Sequence, residues 1–186
     1  FLNSRVEFAM EFYSGKEGVS FSGYSLFNSF KGSYTGNILA PDSEIEKHLA
    51  QFVNLEDLHK VRENLTQILQ SMGIAECHTG YFGVDMMIYE DGGKLRLNPC
   101  MELNLRMNMG VASRIFYDKH VVPGKRGEYF VNFYKKEGEA LVQHEMNMRE
   151  YPLSVKEGRI ESGYINLAPI TAKSRYSVYA IIKKQH

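Results

Sequence analysis

The stretch Gly80–Gly110, GYFGVDMMIYEDGGKLRLNPCMELNLRMNMG, decides how this chain is read. A strand from Tyr81 to Tyr89 runs into Glu90-Asp91-Gly92-Gly93, a turn signal. A returning strand follows, from Lys94 to Arg106. Side chains alternate faces along a strand. Leu95, Leu97, Met101, Leu103 and Leu105 therefore fall on one face, and Arg96, Asn98, Glu102, Asn104 and Arg106 on the other. The apolar face is expected to pack on a long helix. The polar face displays a carboxylate, an amide oxygen and a guanidinium at successive same-side positions, roughly 6.5–7 Å apart.

Asp85 sits in the first strand, within the apolar run Val84-Asp85-Met86-Met87-Ile88. An acid in such a run must be paired, ligating or at an edge. Across a hairpin it can face Glu102. Two carboxylates and an amide oxygen are hard ligands that suit Mg²⁺. Magnesium held this way keeps waters and bridges substrate phosphates. Arg106 is then placed to clamp a phosphate or a carboxylate. Any half-exposed antiparallel strand also shows a polar face, so Glu-x-Asn-x-Arg alone leaves both readings open. The register poses a condition. An ideal hairpin centred on Gly92 puts Asp85 near Pro99, not Glu102. A longer turn or a bulge must absorb the excess, and Asn98-Pro99-Cys100 is the expected bulge, because proline has no N–H to lose there.

Upstream, Arg5 to Tyr13 and Val19 to Phe27 read as two strands of a hairpin turning at Gly15 to Gly18. Asn28 to Asp42, with the polar and glycine-bearing text FKGSYTGN, reads as a loop. Ser43 and Glu46 form a capping-box pattern. Helical text continues from Glu44 to about Met72, broken near Asn54. Its second half carries an apolar stripe of Leu58, Val61, Leu65, Ile68, Leu69 and Met72. Gly73 is placed as its C-terminal stop. Downstream, Met107 to Lys119 reads as a short helix. Glu128 to Tyr134, Ala140 to Met146, Gly163 to Ile165 and Tyr176 to Ile182 read as strands. Strands grouped with few long helices predict an α+β fold with a largely antiparallel sheet.

Composition narrows the function classes. Of 186 residues, 44% are apolar and 24% charged, with 22 basic and 22 acidic side chains. Balanced charge offers no bulk attraction to nucleic acid or to an anionic membrane. No apolar run is long enough to span a bilayer as a helix. The two cysteines, Cys77 and Cys100, lack zinc spacing and make no disulfide framework, which predicts reduced thiols in the cytoplasm. The six histidines are scattered, and no P-loop or Gly-x-Ser-x-Gly elbow is present. The chain starts at Phe1, without Met, directly in strand-like text, which suggests that its natural N-terminus lies upstream.

Taken in order, the helix, the Gly83-Val84-Asp85 strand, the glycine turn, the Glu102-to-Arg106 strand and Met109-Gly110 resemble the C-terminal lobe of the ATP-grasp superfamily. The resemblance covers Phe1 to Gly110. It implies that Asp85, Glu102 and Asn104 hold the Mg²⁺ ions that bridge the phosphates of ATP. It implies that Glu102, Asn104, Arg106 and Glu7 serve the nucleotide, with Arg106 as the catalytic cation. Asn108 and Gly110 match the stretch facing phosphate or acceptor substrate. Two departures stand out. Many carboxylate–amine ligases of the superfamily carry an arginine two residues before the first acid, where this chain has Gly83, and the Asp85–Glu102 separation is longer than in compact members.

The resemblance further implies a lobe over 1–118, with its sheet packed by a long helix, and a β-rich extension over 119–186 packed on it. The implied activity is that of a Mg/ATP-dependent ligase that activates a small carboxylate as an acyl phosphate for attack by an amine. The lysines that contact phosphate and the acid that reads the ribose would precede Phe1. The partner is thus the N-terminal part of the same protein, and this chain by itself should bind Mg-ATP weakly or not at all. A homo-oligomer is left open. So is the alternative of a non-catalytic binding or assembly domain derived from such a lobe.

Overall fold

The computed structural model describes residues 3–30 and 33–184. Lys31 and Gly32 of the expected FKGSYTGN loop, the chain start at Phe1 and the terminal His186 lie outside the described residues. The chain divides into two compact units, one of Phe1–Leu26 with Asp42–Arg114 and the other of Phe27–Pro41 with Ile115–His186.

In the first unit, β1 (Asn3–Gly15) and β2 (Gly18–Phe30, its last residues in the second unit) form a hairpin. β4 (Gly80–Asp91) and β5 (Lys94–Asn104) form another. The strand order is β5-β4-β1-β2, antiparallel throughout. The β4–β5 turn has Gly92 at φ 57° and Gly93 at φ 75°. Two successive positive φ angles define the tight hairpin turn whose twist matches the strands, and glycine adopts both freely.

β1 is buried on both faces. Phe8, Met10 and Phe12 line one of them with Phe82, Val84, Met86 and Ile88 of β4. Phe12 stacks on Phe82 at 5.6 Å and meets Phe21 edge-on at 5.9 Å. Rings in such offset or edge-on contact add roughly 0.5–1.5 kcal/mol beyond their buried area. Three helices accompany this sheet: α1 (Asp42–Leu49), α2 (Leu55–Ser71) and the single turn α3 (Ile74–Cys77). The break between α1 and α2 falls where expected. Asn54 caps α2 by accepting the Glu56 N–H at 2.8 Å, and Gly73 follows the helix in the left-handed conformation, φ 68°.

The long helix meets β2 of this sheet. Gln70 Oε1 accepts the Val19 N–H at 2.6 Å, and the Arg62 guanidinium lies 5.2 Å from the Phe21 ring centre. The expected packing of the β5 apolar face is thereby corrected: Leu95, Met101 and Leu105 are 42, 50 and 41% exposed. β5 is an edge strand, so alternation alone did not tell which face would be covered. Ile68 and Met72 of the α2 stripe are exposed as well, while Leu58 and Leu69 are buried.

In the second unit the order is β3-β6-β9-β8-β7: β3 (Ser33–Leu39), β6 (Gly127–Phe133), β9 (Tyr176–Ile182), β8 (Arg159–Asn166) and β7 (Ser154–Lys156), antiparallel. Leu39, Tyr117, Val121, Tyr129, Ile160, Ala180 and Ile182 form its core. Two expectations change here. The segment read as a loop supplies strand β3. A side chain at Gly36 would strike the carbonyl of Tyr129, so its glycine marks close strand approach rather than a turn. Ala140 to Met146 is helical, within α5 (Glu139–Glu150). Its buried positions, Ala140 and Asn147, lie two helical turns apart on one face. The helix α4 (Met109–His120) begins in the first unit and ends in the second.

Candidate metal and phosphate site

All side chains of the site belong to the first unit, on the sheet face opposite Phe8, Met10 and Phe12. Along β4 and β5 the ladder is regular from Asp91↔Lys94 to Met87↔Asn98, and then shifts so that Asp85 pairs with Glu102. The two extra residues fall between Asn98 and Glu102, the stretch that contains Pro99 and Cys100. The bulge therefore occupies the place where proline costs least, and it brings the two carboxylates opposite one another.

Next along the face, Asn104 pairs with Gly83 and is 8% exposed. Its Nδ2 donates to Asp85 Oδ2 at 3.0 Å, and its Oδ1 accepts from Arg106 Nη2 at 3.0 Å. Asp85, Asn104 and Arg106 thus form a hydrogen-bonded chain. Burial raises the Asp85 carboxyl, and the charge of Glu102 raises it further. Asn104 and Arg106 lower it, and Glu7 adds a smaller upward push. Glu7 stands on the same face, opposite Met87, while Asp85 lies opposite Ala9. A carboxylate raised by burial and by a second carboxylate across a strand pair marks a donor set short of positive charge. Oxygen donors of this kind fit a divalent cation. Among the described residues, no group of three or more His, Cys, Asp or Glu side chains is arranged to hold a metal.

Asn108 and Gly110 stand where the strand passes into α4. Asn108 Oδ1 accepts the Val111 N–H at 2.8 Å, which makes it the N-cap of the helix. Its Nδ2 donates to Glu11 Oε2 at 3.1 Å. Gly110 lies against the Glu11 carboxyl and the Ser25 hydroxyl.

Glu11 is the residue that sequence reasoning missed. It is 1% exposed, and it pairs with Gly83 on one side and Gly23 on the other. Its pKa is pushed up to about 8, first by burial and then by Asp85, against the opposing pull of Asn108 and Ser25. The one available signal was parity: Glu11 has the same strand phase as Glu7 within RVEFAMEFY. A side chain at Gly83 would run into the Asn108 amide and the Glu11 carboxyl, so that place is already filled.

No protein-family model matches the chain. No curated protein matches it either. Solved structures match it in fold. Carboxyaminoimidazole ribonucleotide synthase from Aspergillus clavatus, complexed with ATP, has a TM-score of 0.53 at 9% identity, over 98% of this chain and 47% of that one. N5-carboxyaminoimidazole ribonucleotide synthetase from Thermus thermophilus has a TM-score of 0.52 at 10% identity, over 98% and 47%. N5-carboxyaminoimidazole synthetase from Staphylococcus aureus has a TM-score of 0.51 at 14% identity, over 98% and 47%. The chain spans about half the length of these proteins. At such identities the likeness concerns architecture: this chain has the mixed α+β fold of part of these synthetases.

Proposed function

We propose that this chain is the metal-and-phosphate half of a Mg/ATP-dependent ligase of ATP-grasp type. The pairing of Asp85 with Glu102, extended through Asn104 to Arg106, carries the reading. Asp85, Glu102 and Asn104 would hold Mg²⁺, which when bound neutralises phosphate charge. Arg106 and Glu7 would face the nucleotide, and Asn108 and Gly110 the acceptor end. The reaction transfers the terminal phosphoryl group of ATP to a substrate carboxylate, releasing ADP. An amine then attacks the acyl carbon of the resulting acyl phosphate, inorganic phosphate leaves, and the amine gives up a proton. The protein contributes positioning and electrostatics rather than a covalent nucleophile. Lysines for phosphate and an acid for ribose would come from the remainder of a longer chain. Both cysteines are exposed and unbridged, which suits a cytoplasmic setting.

The test is Mg-ATP binding by the full-length protein, followed by thermal shift. Glu102→Gln and Asp85→Asn should each abolish the magnesium-dependent stabilisation. Stabilisation that persists unchanged in both variants would sink the metal assignment. A second reading, a non-catalytic assembly domain, draws support from the exposed apolar side chains Val142, Met146, Leu153 and Val155 of the second unit. A full-length protein that turns over no ATP with any carboxylate would favour it.

A further inference from the structure

Asn104 and Asn108 pin a short stretch of chain at both ends. Asn104 is tied to Asp85 on β4, and Asn108 is tied to Glu11 on β1. Only Leu105, Arg106 and Met107 lie between them, and the Arg106 N–H closes a tight turn onto the Asn104 carbonyl at 2.7 Å. Arg106, the cation of the proposed site, is thus carried on a loop clamped on two sides.

The second clamp is a built feature. A carboxyl buried in a sheet is costly, and core packing alone would favour an apolar side chain at this point. Two glycines on different elements, Gly83 of β4 and Gly110 of α4, leave the space that the Glu11 carboxyl fills. The register of β2 against β1 shifts by one residue beside Glu11, between the pairs Glu11↔Gly23 and Phe12↔Phe21. Such bulges re-aim side chains next to functional sites. Glu11 Oε1 has no hydrogen-bond partner among the described residues, while Oε2 receives the Asn108 amide.

We infer that Glu11 is a positioning residue: its carboxyl holds Asn108, and through Asn108 the segment from Asn104 to Gly110, so that Arg106 stands in fixed relation to Asp85. It acts through Asn108 and touches neither metal nor nucleotide. The functional consequence rests on the ligase reading; the tether itself does not.

The experiment pairs amide hydrogen exchange with Mg-ATP affinity in the full-length protein. Glu11→Ala should speed exchange selectively at Arg106 and Val111, and weaken Mg-ATP binding about 10- to 100-fold, the usual cost of losing a residue that supports a ligand from behind. Glu11→Gln keeps an oxygen for the Asn108 amide and should restore both. Unchanged exchange at Arg106 and Val111 in Glu11→Ala overturns the inference. So does an even loss of protection across β1, β2 and β4, which would mark a purely structural role, and so does a Glu11→Gln variant as impaired as Glu11→Ala. Should Glu11→Ala not fold, Asn108→Ser keeps a capping oxygen for Val111 but removes the amide donated to Glu11. Faster exchange at Arg106 with Val111 still protected supports the tether, and unaltered exchange at Arg106 refutes it. A wild-type protein that binds no Mg-ATP removes the ligase reading, and the exchange data still decide the tether.

Discussion

Glu11 dominates the chemistry at the scale of single residues. Its carboxyl is raised from 4.5 to about 8, chiefly by burial. The folded state therefore keeps a proton that the unfolded chain has released. The stability this contributes is fully present below pH 4.5 and is lost as pH rises towards about 8. The slope is at most about 1.4 kcal/mol per pH unit for one proton. The raised Asp85 carboxyl acts in the same direction. The difference in unfolding free energy between wild type and Glu11→Gln, followed from pH 4.5 to 8 without metal, isolates the Glu11 share. Glu11→Gln should become the more stable of the two as pH rises, by about 1–3 kcal/mol near neutrality. A difference that stays flat with pH would show that Glu11 titrates normally. Gly83 gives a second prediction at this scale. Gly83→Ala puts a methyl against the Glu11 carboxyl and the Asn108 amide. It should cost about 1–3 kcal/mol in urea denaturation, and a cost near zero would mean that the slot can widen freely. Neither effect is legible in the sequence, because a glycine and a glutamate on different strands carry no local sign that one makes room for the other.

Local pattern was informative for whole elements wherever an element is defined by its own residues. The α1–α2 break at Asn54, the glycine after α2, the Gly92-Gly93 turn and the span of β9 all follow from caps, turn formers and periodicity. Asn54→Ala should cost roughly 1 kcal/mol of stability, the usual loss of a side-chain cap. The bulge of β5 makes a sharper test. Deleting Pro99 and Cys100 together removes the two extra residues and leaves Glu102 opposite Asp85 in a regular ladder. Such a protein should still show magnesium-dependent nucleotide stabilisation. Deleting Pro99 alone leaves an odd excess and a competing register in which Glu102 faces the other side, so that stabilisation should fall. Equal behaviour of the two deletions would show that the bulge does not set the site. The misreadings were of another kind. In 139–150 the helix formers Ala, Leu, Gln, Glu, Met and Arg outweigh a weak alternation, and in 33–39 a polar, glycine-bearing stretch becomes β3 because β6 is there to pair with it.

The whole molecule combines an antiparallel α+β fold with a site that spans β1, β4, β5 and the start of α4. If the ligase reading holds, Mg-ATP at a hundredfold excess over its dissociation constant stabilises the full-length protein by about 2.7 kcal/mol. Asp85→Asn should give the opposite pattern: a metal-free protein more stable than wild type, because the burial cost of the carboxylate and its repulsion by Glu102 are gone, and no gain from magnesium. A metal-free Asp85→Asn protein less stable than wild type would argue that Asp85 is already satisfied without a cation. By itself the sequence determined the strands and helices with strong periodicity, the polar face of Glu102 and Asn104, and the need for a bulge near Pro99. Each of these is a matter of neighbours along the chain; the strand expected to reach Arg106 ends at Asn104. Tertiary structure alone decided that α2 meets β2 while the apolar side chains Leu95 and Met101 of β5 stay exposed, that Asn108 both caps α4 and clasps Glu11, and that Gly83 and Gly110 make the slot for a buried carboxyl. Those facts depend on which surfaces meet across the sheet, and burial and close approach are properties of the assembled fold rather than of any segment.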